Sequence, residues 1–269
     1  MSGWTLRTKH EPTLRVDLQG LLPATLAGLS LAEIERLPVG HGAMLVPLGE
    51  FFHVAARADE ALVFAADLSR FDRVGWQMAA RHVIVDGSVG DHAGGGMTGG
   101  ELTVQGDAGV LAACEMAGGL LSIAGNAGDF AASTLPGSMD GMRGGTLVVR
   151  GHVGARFGDR MRRGTAVIFG DAGNFLGSRL VAGTIALGGA CGAHPGYGMR
   201  RGSIVFVSAA PAAPPTFVPA IAGAPVFWQL LARDLARHGG AFASLPTRAM
   251  SRHLGDLAAG GKGELIVVG

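Results

Sequence analysis

This chain has almost no lysine and almost no cysteine. Lys9 and Lys262 stand against twenty arginines, a bias that, beside so much alanine and glycine, is associated with high-GC bacterial genomes. The two cysteines, Cys114 and Cys191, are joined by no CxxC or HExxH motif, and the nine histidines are scattered without ligand spacing. Neither a zinc site nor a redox pair is expected. An excess of one charge is missing too: a net charge of +1 offers no electrostatic case for nucleic acid or an anionic membrane. No GxxxxGK[ST] segment between a strand and a helix is present to cradle phosphate. The start, Met1 to Arg7, lacks the features of a signal peptide, so a cytoplasmic protein is expected. One uncharged run, Ala209 to Ala232, is long enough to span a membrane. It contains Pro211, Pro214, Pro215, Pro219 and Pro225, which would break a helix repeatedly. It reads as a proline-rich linker followed by a buried helix from Pro225 to His238.

What is abundant is glycine, 46 residues, and it is periodic. The pattern restarts at Met78, Met97, Met116, Met142, Met161, Leu180 and Met199. Each step is one 19-residue period, except Met116 to Met142, which carries seven further residues. Glycine returns at fixed phase: Gly87, Gly90 and Gly94; Gly151, Gly154 and Gly158; Gly170, Gly173 and Gly177; Gly189, Gly192 and Gly196. These are read as structural turn positions. A fixed period of this kind indicates a solenoid whose repeats bury apolar surface against their neighbours.

Each period holds one short apolar strand, such as Val83-Ile84-Val85, Leu102-Thr103-Val104 or Ile204-Val205-Phe206. The outer two positions are the most uniformly large and apolar, so they are expected to face inward. Nineteen residues at about 3.3 Å each make a closed turn of about 60 Å, enough for a triangular coil with a packed interior. The expected fold is mainly β: a single-stranded right-handed parallel β-helix of 19-residue coils. Cys114 and Cys191 would then lie four coils, about 19 Å, apart, too far for a disulfide. The methionine column is expected to fill the core. The seven extra residues, within Ser133–Gly141, must leave the coil as a loop, and loops on a rigid scaffold often carry contacts.

The flanks differ in kind. Residues 1–58 read as an α/β cap with an extended run at Leu14–Leu18, a helix with Ser30 as N-cap and Glu33 completing a capping box, and a strand near Met44–Leu48. Residues 59–207 form the solenoid. Residues 208–269 supply the linker, a helix and a terminal strand at Glu264–Val268. Both flanks are expected to cover open strand edges.

Catalytic candidates are few. Asp86, Asp107, Asp129, Asp159 and Asp171 form no phase-matched cluster, and aspartate beside glycine is usually a turn residue. No six-residue apolar period points to a left-handed acyltransferase helix. No catalytic or metal-ligating residue is assigned. Arginine is more informative: Arg143, Arg162 and Arg200 share one phase, with Arg163 and Arg201 beside them. Equal phase in a solenoid means one row, either a solvated edge or a contact for carboxylates, which arginine pairs bidentately. An apolar strip is also expected outside the last four coils, from Val148, Val167, Ala186, Val205, Phe169 and Val207. Its cover is expected to be the chain's own helix through Phe227, Leu230, Leu231 and Leu235, or else a partner.

These residues resemble the formylmethanofuran dehydrogenase family, in its C subunit. The GxxGxxxG repeat is matched by the four glycine triplets above, with Ala113 and Ala132 replacing the third glycine in two periods. Arg15-Val16-Asp17-Leu18, Ala66-Asp67-Leu68-Ser69-Arg70, Gly255-Asp256 and Gly261-Lys262-Gly263-Glu264 extend the likeness over nearly the whole chain. The repeat alone is similar to the C-terminal domain of glutamate synthase; the flanking motifs separate the two. The resemblance implies a non-catalytic scaffold, with catalysis on other subunits. Of the two kinds of complex in the family, the arginine bias favours the bacterial formyltransferase/hydrolase complex, which converts formyl-tetrahydromethanopterin to formate. The alternative is the tungsten or molybdenum formylmethanofuran dehydrogenase; an independent β-helix enzyme is a further one. The A, B and D subunits are the implied partners. The complex uses a methanofuran-type carrier, none is expected to be held by this chain itself, and the arginine row is a candidate contact for the carrier's polyglutamyl tail.

Overall fold

Apolar alternation in every period produces strands, and equal phase makes them stack. The computed structural model describes residues 3–220 and 225–269. It is mainly β, dominated by a thirteen-stranded sheet. From one edge the sheet runs through Phe52–Arg57, Gly3–Thr8, Leu62–Phe64, His82–Val85, Thr98–Val104, Ala117–Ile123 and Arg143–Val149. It continues through Arg163–Ile168, Thr184–Leu187, Ser203–Phe206, Gly263–Val268, Met250–Gly255 and Val218–Pro219. From Gly3–Thr8 to Gly263–Val268 every pair is parallel; the pairs at the two ends are antiparallel.

Register follows the sequence period. Val83 pairs with Leu102, Leu102 with Leu121, Leu147 with Ala166 and Ile185 with Ile204. Leu121 pairs with Leu147 across the seven-residue insertion. A second column of single bridges runs parallel to the first through Leu68, Val89, Ala108, Ala127, Val153, Ala172 and Cys191. The outer strand positions point inward as expected: Val83, Val85, Leu102, Val104, Leu121 and Ile123 are buried, while Ile84, Thr103 and Ser122 are half-buried. Met78, Met97, Met116, Met142, Met161, Leu180 and Met199 are all buried in one core reaching from Trp4 to Leu265.

The glycine triplets divide into two kinds. Gly94, Gly158, Gly177 and Gly196, the third members, take left-handed φ values between 63° and 69°. Ala113 and Ala132 adopt the same conformation, at 55° and 58°, so alanine here carries a conformational cost rather than a clash. The earlier members, such as Gly170, lie outside the left-handed region. There a Cβ would come within 2.5 Å of the Gly151 carbonyl oxygen. Close approach of stacked backbones, rather than φ, is what requires glycine at those positions.

The flanks pair with the stack. Val16–Asp17 joins a four-stranded sheet, parallel to Phe71–Asp72 and antiparallel to Pro38–His41, which pairs in turn with Met44–Pro47. The helix Leu31–Glu35 has the expected capping box: Ser30 Oγ accepts the Glu33 N–H, and Glu33 accepts the Ser30 N–H at 2.8 Å. At the other end part of the expected linker is a strand, Val218–Pro219; positions 221–224 lie outside the described residues.

The C-terminal helix spans Pro225–Ala236, two residues shorter than expected, and Gly239 and Gly240 follow it with positive φ. It covers the outer apolar strip: Val167, Ala186, Val205 and Val207 pack with Trp228, Ala232, Leu235 and Phe242, and Phe169 and Leu231 join them. The facing residues differ from the expected set. Trp228, Leu231, Ala232 and Leu235 turn inward, whereas Phe227 and Leu230 are exposed. Both sets have helical spacing; the larger indole wins the buried side, its Nε1–H donating to the Arg248 carbonyl at 3.0 Å. Val148 is also buried. No helix of the described residues is long and apolar enough to cross a membrane.

Candidate functional site

The acidic residues near the recurring glycines are occupied structurally. Asp107 accepts the Asn126 N–H at 2.6 Å, Asn126 the His152 N–H at 2.8 Å, and Asp171 the Ala190 N–H at 2.7 Å. A second ladder uses Asp72, Asp91, Asp129 and Asn174 in the same way. Each such side chain satisfies a backbone donor of the next period, a pairing that a buried or bent backbone needs. Among the described residues no group of three or more His, Cys, Asp or Glu could hold a metal. Cys114 and Cys191 are free thiols, each pushed up to about 12 by burial, so neither is a ready nucleophile.

The motifs flanking the repeat fasten its ends. Arg15 forks onto Asp72, with Nε to Oδ2 at 2.8 Å, and reaches Asp91 at 3.4 Å; the Asp72 bond pushes the Arg15 pKa up. Asp17 pairs with Arg73, and Arg70 donates to the Thr13 carbonyl at 2.8 Å. At the far end Asp256 accepts the Gly198 N–H at 2.9 Å, and Glu264 pairs with Arg252 at 2.7 Å. A Cβ on Gly263 would strike the Met199 side chain at 2.6 Å.

The five arginines singled out in the sequence are all exposed and line one hollow of about 600 Å³ with Val181 and Ala182. Val181 and Ala182 hold the phase of Arg162 and Arg163 one period on, so the row has a neutral gap before Arg200 and Arg201. Strand pairing sets Arg143 beside Arg163 rather than Arg162, because the register shifts between Arg143 and Thr146. Arg162 Nε lies 2.5 Å from Asp140, which belongs to the seven-residue insertion. Three cations escaped the sequence reading. Arg160 and Arg179, left-handed at φ 57° and 52°, flank the buried carboxylate of Asp159 at 3.7 and 3.2 Å. Ser178 Oγ also donates to Asp159. Lys262 lines a neighbouring hollow with Arg201, its backbone N–H donating to the Arg200 carbonyl at 2.6 Å. The 19-residue spacing of Arg160 and Arg179 was a usable signal; nothing periodic marks Lys262. Chemically this face offers forked guanidinium donors to carboxylates or phosphates.

The molecule is thus a mainly β repeat protein, locked at both ends by ion pairs, with an arginine-lined outer face. It superposes with a TM-score of 0.92 and 41% identity on a chain of the X-ray crystal structure of the formyltransferase/hydrolase complex (FhcABCD) from Methylorubrum extorquens in complex with methylofuran, covering 98% of each chain. The C subunit of the Fhc formyltransferase/hydrolase complex of that organism is 43% identical over 86 residues, 32% of each chain. This chain belongs to the C subunits of the formylmethanofuran dehydrogenase family. The C subunit of the tungsten-containing formylmethanofuran dehydrogenase 2 of Methanothermobacter wolfeii is 34% identical over 94 residues, 33% of this chain and 35% of the relative. In sequence, then, the chain spans about a third of the length of these curated relatives. No family model matches it.

Proposed function

We propose that this chain is the C subunit of a formyltransferase/hydrolase complex, a non-catalytic scaffold on which the A, B and D subunits assemble. The complex converts formyl-tetrahydromethanopterin to formate through a methanofuran-type carrier, in cytoplasmic one-carbon (formaldehyde) metabolism. The observation that carries this reading is the end-to-end likeness to a chain of the FhcABCD complex at 41% identity. The 19-residue register and the second column of bridges support a right-handed single-stranded parallel β-helix over residues 59–207. Residues 1–58 and 208–269 are its caps. The glycine triplets serve as its corners. The arginine row, Arg143, Arg162, Arg163, Arg200 and Arg201, is a contact for acidic groups within the complex, on a partner or on the carrier tail, and the chain itself carries no cofactor.

Purification of the native assembly through a tag on this chain tests the reading. Co-purification of a formyltransferase subunit, without molybdenum, tungsten or iron–sulfur clusters, is expected. Molybdenum or tungsten in stoichiometric amount would move the chain to a dehydrogenase instead. Turnover of a formyl carrier by the isolated chain would refute the scaffold role.

A further inference from the structure

Three hollows adjoin on the arginine face and share walls. The hollow of about 600 Å³ shares Arg162 and Arg200 with a second of about 480 Å³. The second shares Arg160 and Arg179 with a third of about 330 Å³, an open hollow lined also by Leu111, Phe130, Leu135, Pro136 and the carboxylate of Asp159. Together they make one trough with seven arginines against the carboxylates of Asp159 and Asp256, most cationic at Arg143, Arg163, Arg200 and Arg201 and apolar where the seven-residue insertion overhangs it. Phe130 is 39% exposed. Leu111 and Phe130 stand in the left-handed region at φ 62° and 59°, a conformation costly for bulky side chains. The fold thus presents apolar side chains at the mouth of the trough from positions where glycine would be less strained.

The insertion also shows how the cationic part is filled. Asp140 already places a carboxylate on Arg162. From the period of Phe130 to that of Arg200 the trough rises by four strand spacings, about 19 Å, the span of about six extended residues.

We propose that this trough docks an extended acidic peptide segment of a partner chain, its carboxylates on the arginines and one apolar side chain under the insertion beside Phe130. The proposal rests on the scaffold reading above and names the chemistry of the partner at the arginine face. Charge complementarity selects the acid, and the apolar side chains at one end select a peptide over a uniform polyanion. An incoming carboxylate displaces Asp140 from Arg162.

Fluorescence anisotropy on the full chain, with labelled Glu-Glu-Glu-Glu-Glu-Phe and Glu-Glu-Glu-Glu-Glu-Ser as probes, tests the two ends separately. The phenylalanine probe should bind about tenfold more tightly, a difference of about 1.4 kcal/mol. The double variant Arg162→Ala/Arg200→Ala should lose both probes, whereas Phe130→Ser should lose only the preference for phenylalanine. These side chains are exposed, so the variants should melt with the parent chain. Equal binding of the two probes, or no binding, overturns the proposal. In the purified complex, Arg162 and Arg200 should resist hydroxyphenylglyoxal that modifies them in the isolated chain. Free reaction within an intact complex overturns the docking site and leaves the scaffold reading standing. Protection lost on dialysis would identify a small diffusible polycarboxylate and would also overturn it.

Discussion

Replacing Gly170 with valine tests the stacking directly. A Cβ at this position would lie 2.5 Å from the Gly151 carbonyl oxygen, 2.7 Å from its carbon and 2.9 Å from the His152 nitrogen. All three are backbone atoms of the preceding period and cannot swing aside. Two hydrogen bonds hold that spacing, Gly170 N–H to Gly151 O and Phe169 N–H to Val149 O, each 2.9 Å. On the other side Gly189 N–H donates to Gly170 O at 3.0 Å, so the segment cannot retreat without straining the next period. Restoring an ordinary contact means opening the stack by roughly 0.5–1 Å, which weakens one or two bonds worth about 1 kcal/mol each. Overpacking adds about 1–3 kcal/mol. The sum is about 2–5 kcal/mol, or a fall in melting temperature of roughly 4–20 °C for a chain of this size. Thermal melts by circular dichroism provide the measurement, with Gly137→Ala as the comparison. Gly137 has φ 86° and nothing within 4 Å of where a Cβ would stand, so alanine there costs only the left-handed conformation, about 1 kcal/mol. A Gly170→Val melt no lower than that of Gly137→Ala refutes the close-approach argument.

Trp228→Ala should cost about 3–5 kcal/mol of helix docking and produce an early transition in near-ultraviolet circular dichroism, whereas Leu230→Ser on the exposed side should leave the melt unchanged. Asp59, bonded to Arg57, has its carboxyl lowered from 3.8 to about 2; because the folded value lies below the unfolded one, its stabilising contribution is present above 3.8 and lost as pH falls through about 2. Carboxyl NMR titration should show this, and Arg57→Ala should return the titration towards 3.8. Cys114 and Cys191, with thiols near 12, should resist Ellman's reagent at pH 8 in the native protein and release two equivalents in guanidinium; rapid native labelling at Cys114 would contradict its burial.

The period determined much of this protein by itself. Strand positions, inward and outward alternation, the buried methionine column and the capping box at Ser30 all follow from patterns within one repeat or one turn, where neighbours in space are set by sequence separation. The family was legible for the same reason: Arg15, Asp17, Asp67, Asp256 and Glu264 stand in short motifs beside the repeat. Tertiary structure decided what no period encodes. Whether Trp228 or Phe227 turned inward depended on which side chain fitted the strip over Val167 and Val205, because both helix faces are apolar. Lys262 came to line a hollow with Arg201 only because the Gly263–Val268 strand pairs with Ser203–Phe206. Asp140 met Arg162 only because the insertion folds back over the following period. The glycine triplets carry both lessons: their recurrence was plain in the sequence, but which members needed space and which needed a left-handed backbone was set by the distance between stacked chains.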